Sequence, residues 1–227
     1  MSLNSINDLA QTIWDHHKAN DPSKRTLVNI SGIPGSGKPT LARLLAESLN
    51  RIFIQHSHSL QQQGASSDAE HSSLSPNTPF AIDIPMDGYH LSRAQLAGLP
   101  DPETAIHRRG AAFTYDATGY FQLVQQLAQP INHDSPEIFA PAFDHATKDP
   151  VENSIEITAK TKIVILEGNY VNLDREPWKE AAELFYGICV DEESARWRVE
   201  STDDLNAEDI LGHQVEGVVG VVLQDCT

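Results

Sequence analysis

Seven residues, Gly32-Ile33-Pro34-Gly35-Ser36-Gly37-Lys38, follow the spacing G-x-x-x-x-G-K. Glycines at those intervals let successive backbone N–H groups turn toward one anionic oxygen. A helix starting at the lysine adds the positive end of its dipole. The chemistry this serves is the binding of nucleotide phosphates by Gly32, Pro34, Gly35, Ser36, Gly37 and Lys38, with Lys38 reaching the β and γ phosphates. An ordinary glycine turn followed by a lysine has the same letters, and only the flanking elements separate the two. The next residue, where the pattern carries a Ser or Thr hydroxyl for Mg²⁺, is Pro39. Proline brings neither a hydroxyl nor an N–H, and it biases Lys38 away from helical backbone. The first turn of a helix tolerates it. Thr40 could supply a hydroxyl only if the helix start shifted by one residue.

Two acids stand at the ends of apolar runs. Met86-Asp87-Gly88-Tyr89-His90 follows residues 80–85, and Glu167-Gly168-Asn169-Tyr170 follows residues 162–166. Ligands of open α/β sheets bind at the carboxyl ends of strands, so Asp87 is a candidate base for a substrate hydroxyl. An Asx turn stabilised by Asp-Gly fits the same letters. Glu167 occupies the place of a carboxylate that helps hold Mg²⁺ and its waters. Arg108 and Arg109 are an adjacent basic pair in an acidic chain, which a solvated surface also accommodates. His16, His17, His56, His58 and His71 have no cysteine partners at zinc spacing.

The elements that must position these residues alternate. Residues 3–19 read as a helix, 26–30 as a buried strand, 40–50 as a helix and 51–56 as a second strand. Residues 80–85 read as a strand, 117–128 as a helix, and 137–140, 154–157 and 162–166 as strands. A short helix over 177–182 and a strand over 184–190 complete the series. The glycine loop therefore lies between a strand and an amphipathic helix, as phosphate binding requires. Alternating strands and helices imply an α/β fold with a mostly parallel sheet flanked by helices. Three regions follow: an N-terminal helix (1–20), a main domain (21–195) with a flexible insertion rich in Ser, Gln and Gly (57–79), and a tail (196–227).

The chain has 227 residues and a formal net charge of −16. Such acidity argues against nucleic acid or an anionic membrane as the main partner. Residues 191–227 hold ten acids and two bases, so that segment carries half the net charge. Two cysteines, Cys189 and Cys226, make no disulfide framework. With no apolar leader over residues 1–20, a cytoplasmic location is expected.

The glycine loop, Asp87-Gly88-Tyr89-His90, Arg108-Arg109-Gly110, Phe143-Asp144-His145 and Glu167-Gly168-Asn169-Tyr170 occur in this order. Together they resemble the uridine kinase and pantothenate kinase-like group of P-loop kinases. The closer likeness is to its fungal and bacterial uridine kinase-like, P-loop NTP hydrolase-like branch. The likeness covers residues 20–195. It implies a P-loop NTPase fold and transfer of phosphate from ATP, with Mg²⁺, to a hydroxyl of a nucleoside-like or pantothenate-like metabolite. It implies Asp87 and Lys38 as catalytic and Glu167 on the metal side. Tyr89, His90, Arg108, Arg109, His145 and Asn169 fall in acceptor-pocket segments, and relatives often form homodimers.

Relatives continue past this point with an arginine-bearing lid helix. Here Ala195-Arg196-Trp197-Arg198 begins such a pattern and then turns acidic. A divergent tail with an atypical end to the sheet, an altered chain end and a non-catalytic paralogue each fit. So a second reading stands beside the kinase: a catalytically impaired nucleotide-binding protein. General NTP hydrolysis leaves Asp87 without a use.

Overall fold

The computed structural model describes residues 3–62 and 78–189. Helix α1 (Leu3–Ala19) buries Ile6, Leu9, Ala10, Ile13 and Trp14 and turns Gln11, Asp15 and Lys18 to water. The Trp14 ring lies 5.4–6.4 Å from the rings of His17, Phe53, His56 and Phe80. Strand β1 (Thr26–Ser31) is buried along its whole length. The glycine loop follows it and opens helix α2 (Lys38–Gln62).

Residues 51–56 are not a second strand, because α2 continues through them. Leu41, Leu45, Leu49 and Phe53 recur four apart and stay buried, so the apolar stripe does not stop at Asn50. Phe53 stacks on Phe80 with ring centroids 4.2 Å apart. The start of the stretch expected to be a flexible insertion, up to residue 62, is therefore helical, and residues 63–77 lie outside the described residues. Asn50 docks the helix instead of ending it. Its Nδ2 donates to the carbonyls of Ala46 (2.9 Å) and Ala81 (2.8 Å), and its Oδ1 accepts from Ala81 N (3.0 Å). Ala81 opens strand β2 (Ala81–Pro85), which lies at the edge of the sheet, so one side chain stands in for a missing neighbour strand.

A 3-10 turn (Met86–Tyr89) follows, then helices α3 (Arg93–Ala97) and α4 (Pro102–His107) and a second 3-10 turn (Ala112–Thr114). Helix α5 (Ala117–Leu127) starts where the Asp116 carboxylate accepts from Gly119 N at 2.9 Å. Strands β3 (Ile138–Asp144) and β4 (Asp149–Ile157) pair antiparallel, with an irregularity between Ala140 and Ala142. These overlap the segments read as strands over 137–140 and 154–157, but they form their own two-stranded sheet. Strand β5 (Ile163–Gly168), helix α6 (Trp178–Ala182) and strand β6 (Tyr186–Cys189) complete the described chain.

The main sheet has the order β2-β5-β1-β6 and is parallel at every pairing. Leu27, Ile84, Val164 and Leu166 face the cluster that contains α5, α6 and the hairpin. Val28, Ile30, Ile163 and Ile165 face α1 and α2. Both faces are covered, which is why β5 opens with an unbroken apolar run, Ile163 to Leu166, and β1 carries Leu27, Val28 and Ile30 on both faces rather than alternating. Each such side chain contributes about 1.5–3 kcal/mol through burial. Among the described residues no helix is long and apolar enough to cross a membrane. The expected acidic tail over 196–227 lies outside the described residues.

Two glycines let these layers close. A Cβ on Gly168 would run into the Met86 side chain, and one on Gly88 would run into the Pro141 carbonyl. The end of β5, the first 3-10 turn and β3 are thus stacked without spare room. Gly168→Ala is expected to destabilise the chain by about 1–3 kcal/mol, the usual cost of overpacking. Urea unfolding monitored by circular dichroism would show this as a lowered midpoint, and an unchanged midpoint would mean the stack has slack.

Candidate functional site

Register decides which loops meet. Glu167 on β5 lies opposite Ile30 of β1 on one side and Pro85 of β2 on the other. The glycine loop leaves β1 one residue later, at Ser31. The turn bearing Asp87 leaves β2 directly after Pro85. Three adjacent parallel strands therefore bring Lys38, Asp87 and Glu167 to one edge, where the three charges act on one another.

The loop is shaped by Gly35 and Gly37, whose φ values of 80° and 86° suit glycine. Ser36 N donates to Ile33 O at 3.3 Å, and the Lys38 ammonium donates to the same carbonyl at 2.9 Å. The Ser36 hydroxyl is buried with no hydrogen-bond partner. An orphaned donor inside an anion-shaped loop fits a phosphate oxygen. The donor set beyond it fits Mg²⁺ less well. Pro39 and Thr40 are exposed in the first turn of α2. Two helical residues also rotate Thr40 about 200° from Lys38. Of the metal-side groups, Glu167 remains.

Lys38 and Glu167 are 5% and 4% exposed, so both charges are formed in a poorly solvated place. Burial lowers the Lys38 pKa, opposed by Glu167 and Asp87. Burial raises the Glu167 pKa to about 7. Lys38 opposes that rise, while Asp87 and Asp83 add to it.

Beside Asp87 lies an aromatic wall. His90 Nδ1 is 2.9 Å from the Asp87 backbone oxygen, and its ring lies 4.1 Å from Tyr115 and 4.9 Å from Phe143. His145 meets Phe143 edge-on at 5.3 Å. Arg109 lies over Phe143 at 5.5 Å and donates to Leu91 O (3.0 Å) and the Asp149 carboxylate (3.3 Å). Burial lowers the His90 pKa, with Asp87 opposing.

Other residues singled out in the sequence stand elsewhere. The Tyr89 ring packs edge-on against Tyr120 at 5.5 Å within the core, and burial pushes its phenol pKa up. Arg108 lies over the exposed ring of Phe113 at 5.8 Å. Asn169 is half-buried just past β5. Sequence reasoning gave no role to Tyr115, Phe143, Asp149 or Tyr170. Phe143 and Tyr170 stand in motifs it quoted, so a signal was present. Asp149 and Tyr170 act through partners far away in the chain.

A parallel sheet with a glycine loop after β1 and acids at the ends of the next two strands, β5 and β2, defines the P-loop kinase class. No protein-family model matches the chain. It is 45% identical over 153 residues to the ATP-dependent kinase-like protein notR' of Aspergillus versicolor, covering 57% of this chain and 89% of that protein. It is 31% identical over 206 residues to the uridine kinase-like protein C227.14 of Schizosaccharomyces pombe, covering 81% of this chain and 77% of that protein. The fold matches the crystal structure of YFH7 from Saccharomyces cerevisiae with a TM-score of 0.75 and 22% identity, covering 100% of both chains. The chain belongs to the family of ATP-dependent, uridine kinase-like P-loop kinases.

The raised Glu167 pKa has a thermodynamic sign. Between pH 4.5 and about 7 the folded chain keeps a proton that the unfolded chain has released, so this group's contribution to stability falls as pH rises. Thermal unfolding of the native chain from pH 5 to pH 8 is expected to carry this loss, and Glu167→Gln to flatten it. Parallel pH profiles for the two proteins would contradict it.

Proposed function

We propose that this chain transfers the γ-phosphoryl group of ATP to a hydroxyl of a nucleoside-like or pantothenate-like metabolite. The observation carrying this reading is the meeting of Lys38, Asp87 and Glu167 at the carboxyl edge of three adjacent parallel strands. Phosphoryl transfer needs little covalent help from the protein, and depends on positioning and on stabilising charge. The backbone N–H groups around Gly35, Ser36 and Gly37 and the Ser36 hydroxyl would hold phosphate oxygens. Lys38 would exchange the Ile33 carbonyl for them and offset their charge. Glu167 would hold the waters of Mg²⁺, which would supply positive charge to offset that of the phosphates. Asp87 would accept a hydrogen bond from the acceptor hydroxyl and then take its proton, beside the wall formed by the rings of His90, Tyr115, Phe143 and His145.

Pro39 favours a second reading, a nucleotide-binding paralogue with impaired catalysis. The missing hydroxyl and N–H weaken the metal side of the site without removing the phosphate cradle. Calorimetric titration with ATP, with and without Mg²⁺, separates the two for the native chain and for Pro39→Thr. The kinase reading expects Mg²⁺ to tighten binding to the native chain and expects labelled phosphate to pass from ATP to an acceptor. The paralogue reading expects weak binding indifferent to Mg²⁺. No turnover across a broad panel of alcohols by the native chain, with turnover restored in Pro39→Thr, would sink the active-kinase reading.

A further inference from the structure

Strand register places the glycine loop and the turn bearing Asp87, but it does not place the β3–β4 hairpin, which forms a separate two-stranded sheet. Yet the hairpin supplies Phe143 and His145 to the wall beside Asp87. Its tip is stiff on its own account. The Asp144 carboxylate accepts from Ala146 N (2.8 Å) and Thr147 Oγ1 (2.9 Å), and Lys148 N donates to Asp144 O at 2.8 Å. A stiff tip still needs a fixed seat, and Asp149, opposite Asp144 in the hairpin, provides one. Its Oδ1 accepts from Arg93 N at 2.9 Å, where α3 begins, and from Arg109 Nη2 at 3.3 Å. The same Nη2 donates to Leu91 O at 3.0 Å, and the guanidinium lies over Phe143 at 5.5 Å. One carboxylate oxygen thus joins the hairpin, the segment that follows His90 and the loop that carries Arg109.

We propose that Asp149 is a positioning residue for the acceptor: through Arg109 and the start of α3 it seats Phe143 against His90 and so sets where the aromatic wall stands relative to Asp87. This rests on the reading of Asp87 and its wall given under Proposed function. The segments that Asp149 grips are themselves fixed. Leu91 N donates to Thr114 O at 2.9 Å, Gly110 N donates to Thr114 Oγ1 at 2.9 Å, and the Tyr170 hydroxyl donates to Gly110 O at 2.9 Å. The hairpin tip is therefore anchored to a rigid frame. Arg109 and Asp149 are 19% and 35% exposed, so water screens the pair only in part. Arg109 serves the acceptor indirectly in this arrangement, as the strut between Asp149 and Phe143. Removing the carboxylate would leave Arg93 N without its acceptor and the guanidinium without its counter-charge.

Phosphate transfer from Mg-ATP to uridine and to pantothenate is measured for the native chain, Asp149→Asn and Asp149→Ala. The alanine variant should raise the KM for the acceptor about tenfold and leave the KM for ATP within about twofold. The asparagine variant keeps an oxygen that can accept from Arg93 N, so it should recover most of that loss. An unchanged acceptor KM in the alanine variant, or a loss shared equally by both substrates, overturns the proposal. A second readout needs no turnover. Proton NMR follows the His90 ring, assigned by the loss of its signals in His90→Gln, because the rings of Tyr115 and Phe143 at 4.1 Å and 4.9 Å displace those signals. They should move in Asp149→Ala while the signals of the exposed His133 stay in place. Unmoved His90 signals overturn the proposal. Moved signals in a chain that phosphorylates neither probe support the seat that Asp149 provides and overturn the kinase reading instead.

Discussion

The register of β5 between β1 and β2 is the constraint on which the site depends. Backbone pairing places Glu167 across from Ile30 and Pro85. Because all three strands run the same way, the segments leaving them emerge on one side. A slip of a single residue would turn every side chain of β5 to the opposite face. Glu167 would exchange places with a core aliphatic residue, and the charges of Lys38, Asp87 and Glu167 would no longer converge. The apolar clusters on both faces of the sheet hold the register, since Val164 and Leu166 belong to one and Ile163 and Ile165 to the other.

That arrangement concentrates charge where water is scarce. A buried lysine and a buried carboxylate each lose solvation, and their mutual attraction recovers part of it. The Lys38 pKa is lowered and that of Glu167 raised, which shows that burial outweighs attraction in this state of the site. The Lys38 ammonium answers by bonding the loop's own Ile33 carbonyl. A phosphate entering the loop would supply the charge these donors lack.

Much of the fold was legible because the signals were local. The α1 stripe, the β-branched run of β1, the apolar run of β5, and the helix over 117–127 each carry their pattern within the segment. The error over 51–56 came from reading Ile52, Phe53 and Ile54 as a β-prone run. The i+4 continuation from Leu49 to Phe53 decided the matter, helped by Phe80 from another element. Asn50 looked like a stop and is a docking group. In the site, Lys38 could be picked out from the glycine spacing, and Asp87 and Glu167 because each follows an apolar run. Tyr89 misled because adjacency to Asp87-Gly88 says nothing about which way a ring turns, and it turns into the core. Tyr115 was hidden because the ring it packs on, His90, lies 25 positions earlier, and contact over such a distance leaves no local pattern.

The amide of Asn50 has a consequence for how the molecule opens. Ala81 begins the strand that leads to Asp87, and its backbone groups are paired to α2. The same helix begins at Lys38. Loosening α2 would therefore leave the first residue of β2 with unpaired backbone groups at the sheet edge. The glycine loop and the turn bearing Asp87 are tied into one cooperative unit, so local unfolding at either end is expected to reach the other.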